Sequence, residues 1–206
     1  MTRKGLINKI IEAAVMTDCN PNWTPASCTP LGSNPDGDPM DGPWNDRSII
    51  GMLWYLTTNT HPDCALDVSQ AARFSHDSKK LHAAAVKTIV RYLKKTHNKR
   101  MVLRWTIVLN LEDYVDTSFT GNYGVKPTKT PISVKSQTAI FLAGCPRLIW
   151  KLQVQSSNAL STFHIEYVGL SHSMRILIPL RALLLEVVGM LGLPSAIAST
   201  IHCRVH

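Results

Sequence analysis

The sequence has no CxxC pair, no uninterrupted apolar run long enough to cross a bilayer, and almost no acidic residues in its C-terminal part. After Asp116 the only carboxylates are Glu166 and Glu186. Five scattered cysteines (Cys19, Cys28, Cys64, Cys145 and Cys203) form an odd set without a regular framework. That is the pattern of reduced thiols in an intracellular compartment, and not that of a disulfide scaffold. His202, Cys203 and His206 are zinc-ligand types, but no second ligand pair faces them and they read as incidental. The most apolar stretch, Met174 to Leu193, is interrupted by Arg175, Pro179, Arg181 and Glu186. This makes it a core helix and excludes a membrane partner from the expectation. Met1 to Lys9 leads into an amphipathic pattern, unlike the apolar region of a secretory signal. An intracellular chain, cytoplasmic or nuclear, is expected.

What is present describes a folded protein. The 206 residues are 45% hydrophobic and 17% charged, ample for one large or two small domains with their own cores. Lysine and arginine outnumber aspartate and glutamate by 22 to 14, a formal net charge of +8. A surplus of that sign favours a polyanionic partner such as nucleic acid.

Along the chain, Leu6, Ile7, Ile10, Ile11 and Ala14 share one helical face. Six prolines (Pro21, Pro25, Pro30, Pro35, Pro39 and Pro43) then punctuate residues 20–46, a density that forbids a continuing helix or central strand. A helix opens at Arg47 and ends before Pro62, and Asp63 is placed to cap the next one, Cys64 to Phe74. A third helix, about 79–95, repeats Leu81, Ala85, Ile89 and Leu93 every four residues, which predicts a core face. Lys80, Lys87, Arg91 and Lys94 share a different face, with Lys95, Lys99 and Arg100 just beyond. One apolar and one basic face is the pattern of a scaffolded helix that offers cations to phosphates.

From about Leu103 the periodicity changes to strands. Leu109 to Leu111 with Tyr114-Val115 suit the first, Ala139 to Leu142 the second and Leu148 to Leu152 the third. Turns are expected at Pro127-Thr128 and Gly144-Cys145-Pro146. Ser161 to Arg175 reads as a helix with Ser161 or Thr162 as N-cap, and Pro179 is expected to kink or divide its continuation. Thr200 to Cys203 opens another strand.

Four ordered blocks fall in this second part: Tyr114-Val115-Asp116-Thr117-Ser118-Phe119-Thr120-Gly121, Lys135-Ser136-Gln137-Thr138, Trp150-Lys151, and Leu160-Ser161-Thr162-Phe163-His164-Ile165-Glu166-Tyr167. Their order and spacing resemble the ribonuclease H region of copia-type LTR retrotransposon Pol polyproteins. That family reads Tyr-x-Asp-Ala-Asp-aromatic-Ala-Gly, Lys-Ser-x-Ser/Thr-Gly, Trp-Lys-Ser-x-x-Gln and Leu-Ser-Thr-x-Glu-Ala-Glu-Tyr. Earlier stretches resemble it too, in Lys4 to Ile11, in Asp18 to Pro21 with Thr24-Pro25, and in Arg47 to Leu56 followed by His61-Pro62-Asp63.

The resemblance implies an α+β chain: a helical thumb/connection segment, then an incomplete ribonuclease H-like mixed β-sheet with a long helix. It implies a division into 1–19 (end of the reverse transcriptase palm and thumb helix), 20–46 (Pro-rich linker), 47–102 (helical thumb/connection) and 103–206 (truncated ribonuclease H-like domain). It begins past the family's polymerase aspartates, so this chain alone is not expected to copy nucleic acid.

By position, Asp116 matches the first catalytic aspartate and Glu166 the catalytic glutamate of the long helix. The two would form a vestigial pair and a weak site for the Mg2+ used ancestrally. Ser118 stands at the second aspartate of the Asp-x-Asp pair and His164 at the first glutamate of the Glu-x-Glu pair. No acidic residue follows Glu186 to supply the third catalytic aspartate. The family's chemistry needs a cluster of roughly three or four carboxylates around two ions, so hydrolysis by this chain is not expected. The partners implied are an RNA–DNA hybrid or duplex, met through the basic helix over 79–100, and the remaining Pol segments.

Overall fold

The protein is described from a computed structural model, which defines residues 3–26, 31–32, 34–40, 42–99, 110–118, 136–143, 149–156, 161–192 and 198–204. They form two compact units, one holding the described residues up to Lys99 and the other those from Asn110 onward. The chain is mixed in class, with helices in the first unit and a sheet with a long helix in the second.

The first unit consists of α1 (Lys4–Ala13), α2 (Asp46–Asn59), a single 3-10 turn (Pro62–Cys64), α3 (Ala65–Ala72) and α4 (Lys80–Thr96). Ile7, Ile10, Leu53, Leu56, Ile89 and Leu93 are at most 1% exposed and form the centre of its core. Asn45 caps α2 by accepting the Ser48 amide at 3.1 Å, which satisfies one of the donors left open at a helix start.

Two local expectations are corrected here. Leu81 is 48% exposed, and the buried residues of α4 are His82, Ala83, Val86, Ile89, Val90, Tyr92, Leu93 and Thr96. A strict four-residue step advances about 40° beyond a full turn each time, so Leu81 lies about 120° round the helix from Leu93. The second correction concerns Asp63. The chain enters α3 through the 3-10 turn, Cys64 is the N-cap, and no side chain caps it. Asp63 instead accepts the Tyr92 hydroxyl hydrogen bond from α4.

The second unit consists of β1 (Asn110–Ser118), β2 (Gln137–Ala143), β3 (Ile149–Val154), α5 (Thr162–Met190) and β4 (Ala198–Arg204). The strands lie in the order β3-β2-β1-β4. β2 is antiparallel to both β1 and β3, whereas β4 is parallel to β1, with Tyr114 opposite His202. A parallel neighbour requires a crossover, and α5 lies within it. Ser161 is the α5 cap, accepting the His164 amide at 3.2 Å.

Pro179 does not divide the helix, which runs as one element to Met190. Proline lacks only one amide donor, and the remaining helical hydrogen bonds with packing on both sides carry the element through it. The turns expected at Pro127-Thr128 and Gly144-Cys145-Pro146 lie outside the described residues.

Candidate functional site

Side chains alternate across a strand, and β1 shows this directly. Leu111, Asp113, Val115 and Thr117 are buried, while Tyr114, Asp116 and Ser118 are exposed. The buried set faces α5: a Cβ added at Gly169 of α5 would lie 2.5 Å from Thr117 Cγ2 and 3.3 Å from Val115 Cγ1. Asp116 therefore leaves the sheet on the face opposite α5, beside Tyr114 and Ser118. Glu166 sits half-buried in the first turns of α5, next to the fully buried Ile165. Among the described residues no three His, Cys, Asp or Glu side chains gather as a metal-holding group.

Sequence reasoning missed a second carboxylate of β1. Asp113 is fully buried and accepts a hydrogen bond from the Ser173 hydroxyl of α5. Burial pushes its carboxyl up to about 6, since a low dielectric disfavours the charged form. Further along the strands, where Thr117 pairs with Thr138, the polar side chains of Thr117, Ser136, Thr138 and Gln155 are buried as well. Gln155 Nε2 donates to Thr138 Oγ1 at 2.9 Å and to the Ile165 carbonyl at 3.1 Å. Asp113 Oδ1, Thr117 Oγ1, Ser136 Oγ and Gln155 Oε1 have no partner among the described residues. The early half of α5 thus packs on polar groups, and its later half on Leu111 and Leu142 through Leu177 and Val188. The alternation was the available signal, because Asp113 shares its parity with Leu111 and Val115.

The cations of α4 are largely engaged within their own unit. Lys80 pairs with Asp38 at 2.9 Å, and both are exposed. Arg91 Nε donates to the Asn20 carbonyl at 2.6 Å. Lys94 Nζ donates to the carbonyls of Thr17 at 2.6 Å and Cys19 at 2.8 Å. Lys95 lies over the Trp23 ring and Lys99 over the Tyr92 ring, at 4.0 and 5.7 Å from the centroids. Lys87 is exposed and has no partner among the described residues. Arg100 lies outside them. The basic face therefore binds the 17–23 loop to the helix through Arg91 and Lys94, while Lys80, Lys87, Lys95 and Lys99 remain exposed.

Comparison with known proteins places these elements in an evolutionary setting. The chain is 30% identical over 122 residues to a retrovirus-related Pol polyprotein from transposon RE1 of Arabidopsis thaliana, covering 59% of this chain and 8% of that protein. It is 25% identical over 194 residues to the corresponding polyprotein from transposon TNT 1-94 of Nicotiana tabacum, covering 90% of this chain and 14% of the relative. The chain is thus similar, over a limited part of their length, to retrovirus-related Pol polyproteins from plant transposons.

An uncharacterized mitochondrial protein of Arabidopsis thaliana is 27% identical over 163 residues, which span 79% of this chain and 64% of that protein. The chain thus spans a small fraction of the Pol polyproteins and just under two thirds of the shorter relative. No family model matches it, and no solved structure matches it. Among the described residues no helix is long and apolar enough to cross a membrane.

Proposed function

We propose that this chain corresponds to the thumb/connection and ribonuclease H-like part of a retrotransposon Pol polyprotein, that its ancestral substrate is an RNA–DNA hybrid, and that its hydrolytic centre is depleted. The observation that carries the reading is the placement of the two matching carboxylates. Asp116 lies on β1, a central strand of the sheet, and Glu166 lies in the first turns of α5, the helix that precedes the parallel β4. The β3-β2-β1-β4 order supports the same reading. Ser118 and His164, each two residues from one of these carboxylates, occupy the places where the family carries further acids.

Carboxylate oxygens suit magnesium, which demands near-octahedral oxygen coordination and gives up water reluctantly. Asp116 points away from the sheet face that α5 covers, whereas Glu166 belongs to α5, so the structure does not bring the two together around even a loosely held ion. They do not fit a two-metal centre, so no hydrolytic step is assigned to these residues. Nucleic acid is the proposed partner, reached through the basic face of α4, and other Pol segments are the proposed protein partners.

Metal binding tests the depletion. Manganese, used as a paramagnetic stand-in for magnesium, should broaden the resonances of Asp116 and of Glu166 independently and only at millimolar concentration, with Asp116→Asn removing the effect at its own position alone. Saturation at micromolar metal, lost in that variant, would mean that further ligands complete a tight centre and would overturn the reading.

A further inference from the structure

Trp23 is 78% exposed, although tryptophan is highly buried on average. Its position is nevertheless fixed. The hydrogen bonds from Lys94 to Thr17 and Cys19 and from Arg91 to Asn20 hold the preceding loop on α4. The Asn22 amide also donates to the Arg91 carbonyl at 3.2 Å. Asn22 Oδ1 accepts the Trp23 amide at 3.0 Å, and its Nδ2 donates to the Thr24 carbonyl at 3.0 Å. Lys95 covers one face of the indole at 4.0 Å, an arrangement favoured by the ring quadrupole. The other face is open to solvent, and the ring has already lost much of the freedom that binding would otherwise remove.

Further cations lie along the same part of the chain. Lys87 and Lys95 are exposed on α4, and Lys99 is exposed just past its end. Next to the loop an open cleft of about 540 Å³ is lined by Asn8, Thr17, Pro21, Lys94, Lys95 and His97, among others.

We propose that Trp23 and Lys95 form a stacking site for single-stranded nucleic acid. One unpaired base lies on the free face of the indole, and the adjoining phosphates meet Lys95 and its neighbours on α4. A cationic track with an exposed aromatic platform is what sequence-tolerant single-strand binding uses, because every base has a π-face. In a duplex the bases are already stacked on one another. A duplex can reach the cations but has no free base for the indole, so the site discriminates between the two forms. The proposal rests on the nucleic-acid partner proposed above and specifies its form.

The test is fluorescence anisotropy of a labelled oligothymidylate of about a dozen nucleotides, a length within the usual single-strand site range, against a labelled duplex. The full chain at low salt is used for both. The unaltered protein should bind the single strand. Trp23→Ala should weaken that binding about tenfold, Trp23→Phe should largely retain it, and neither should change duplex binding. Lys95→Ala should lower the log–log salt slope by about 0.7, the contribution of one single-strand phosphate. The exposed indole contributes little packing, and circular dichroism checks that Trp23→Ala is folded. Unchanged single-strand binding in folded Trp23→Ala overturns the stacking site, as does an unaltered protein that binds duplex alone. Binding to neither form removes the nucleic-acid partner as well.

Discussion

Asp113 of β1 accepts a hydrogen bond from Ser173 of α5, so the packing of helix on sheet includes a buried carboxylate. Its folded pKa is raised to about 6 from an ordinary value of 3.8. The folded state therefore holds a proton that the unfolded chain releases, and stability falls as pH rises through that window. Denaturant unfolding of the sheet unit should show it losing about 1–3 kcal/mol between pH 4 and pH 7 from this group. Asp113→Asn should flatten that dependence and be the more stable form at pH 7. An unchanged pH profile in the variant would contradict the assignment.

Gly169 fixes how near α5 comes to the sheet. A methyl group there would meet Thr117 Cγ2 at 2.5 Å, Val115 Cγ1 at 3.3 Å and Thr138 Cγ2 at 3.4 Å. These are β-branched side chains with little room to yield. Gly169→Ala should therefore destabilise the sheet unit by about 1–3 kcal/mol, read as a lower urea midpoint. The gain in helix propensity from alanine, about 1 kcal/mol, works in the opposite direction and sets a stringent control. Gly189→Ala meets nothing within 4 Å and should show only the gain.

The Tyr92 hydroxyl links α4 to Asp63, which also faces His61 Nδ1 at 3.5 Å. Burial opposes ionisation of Asp63, but the hydrogen bonds from His61 and Tyr92 and the charge of His61 outweigh it and hold the carboxyl below 3.8. A lowered folded pKa contributes stability above the unfolded value, and that contribution disappears as pH falls through the folded one. Tyr92→Phe should thus cost about 1 kcal/mol at pH 7, reduced by the partial exposure of Asp63. The gap from the unaltered protein should narrow below pH 3.8. A constant gap across that range would show that the hydroxyl acts through packing alone.

Element types were legible where periodicity was long. The apolar stripe of α1, the N-cap at Ser161 and the strand nature of Ala139 to Leu142 all follow from local pattern. The reading failed where tertiary partners decide. Leu81 looked like a core residue because a four-residue spacing was extended past the point where it drifts off one face. Asp63 looked like a cap until the 3-10 turn and Tyr92 claimed it. Asp116 and Glu166 stood out through the resemblance. Asp113 carries no motif letter, and its role follows only from the parity of β1 and the presence of Ser173 across the interface. The basic stripe of α4 was plain in the sequence, but its engagement with carbonyls of the 17–23 loop depends on contacts up to 77 residues apart.

The proposed depletion of the hydrolytic centre is tested most directly by magnesium-dependent cleavage of a labelled RNA–DNA hybrid by the purified, folded chain, with Asp116→Asn alongside. The account predicts that the hybrid is recovered intact with both proteins. Cleavage by the unaltered chain that is abolished in Asp116→Asn would contradict it, because two carboxylates would then suffice or others would be recruited to the site.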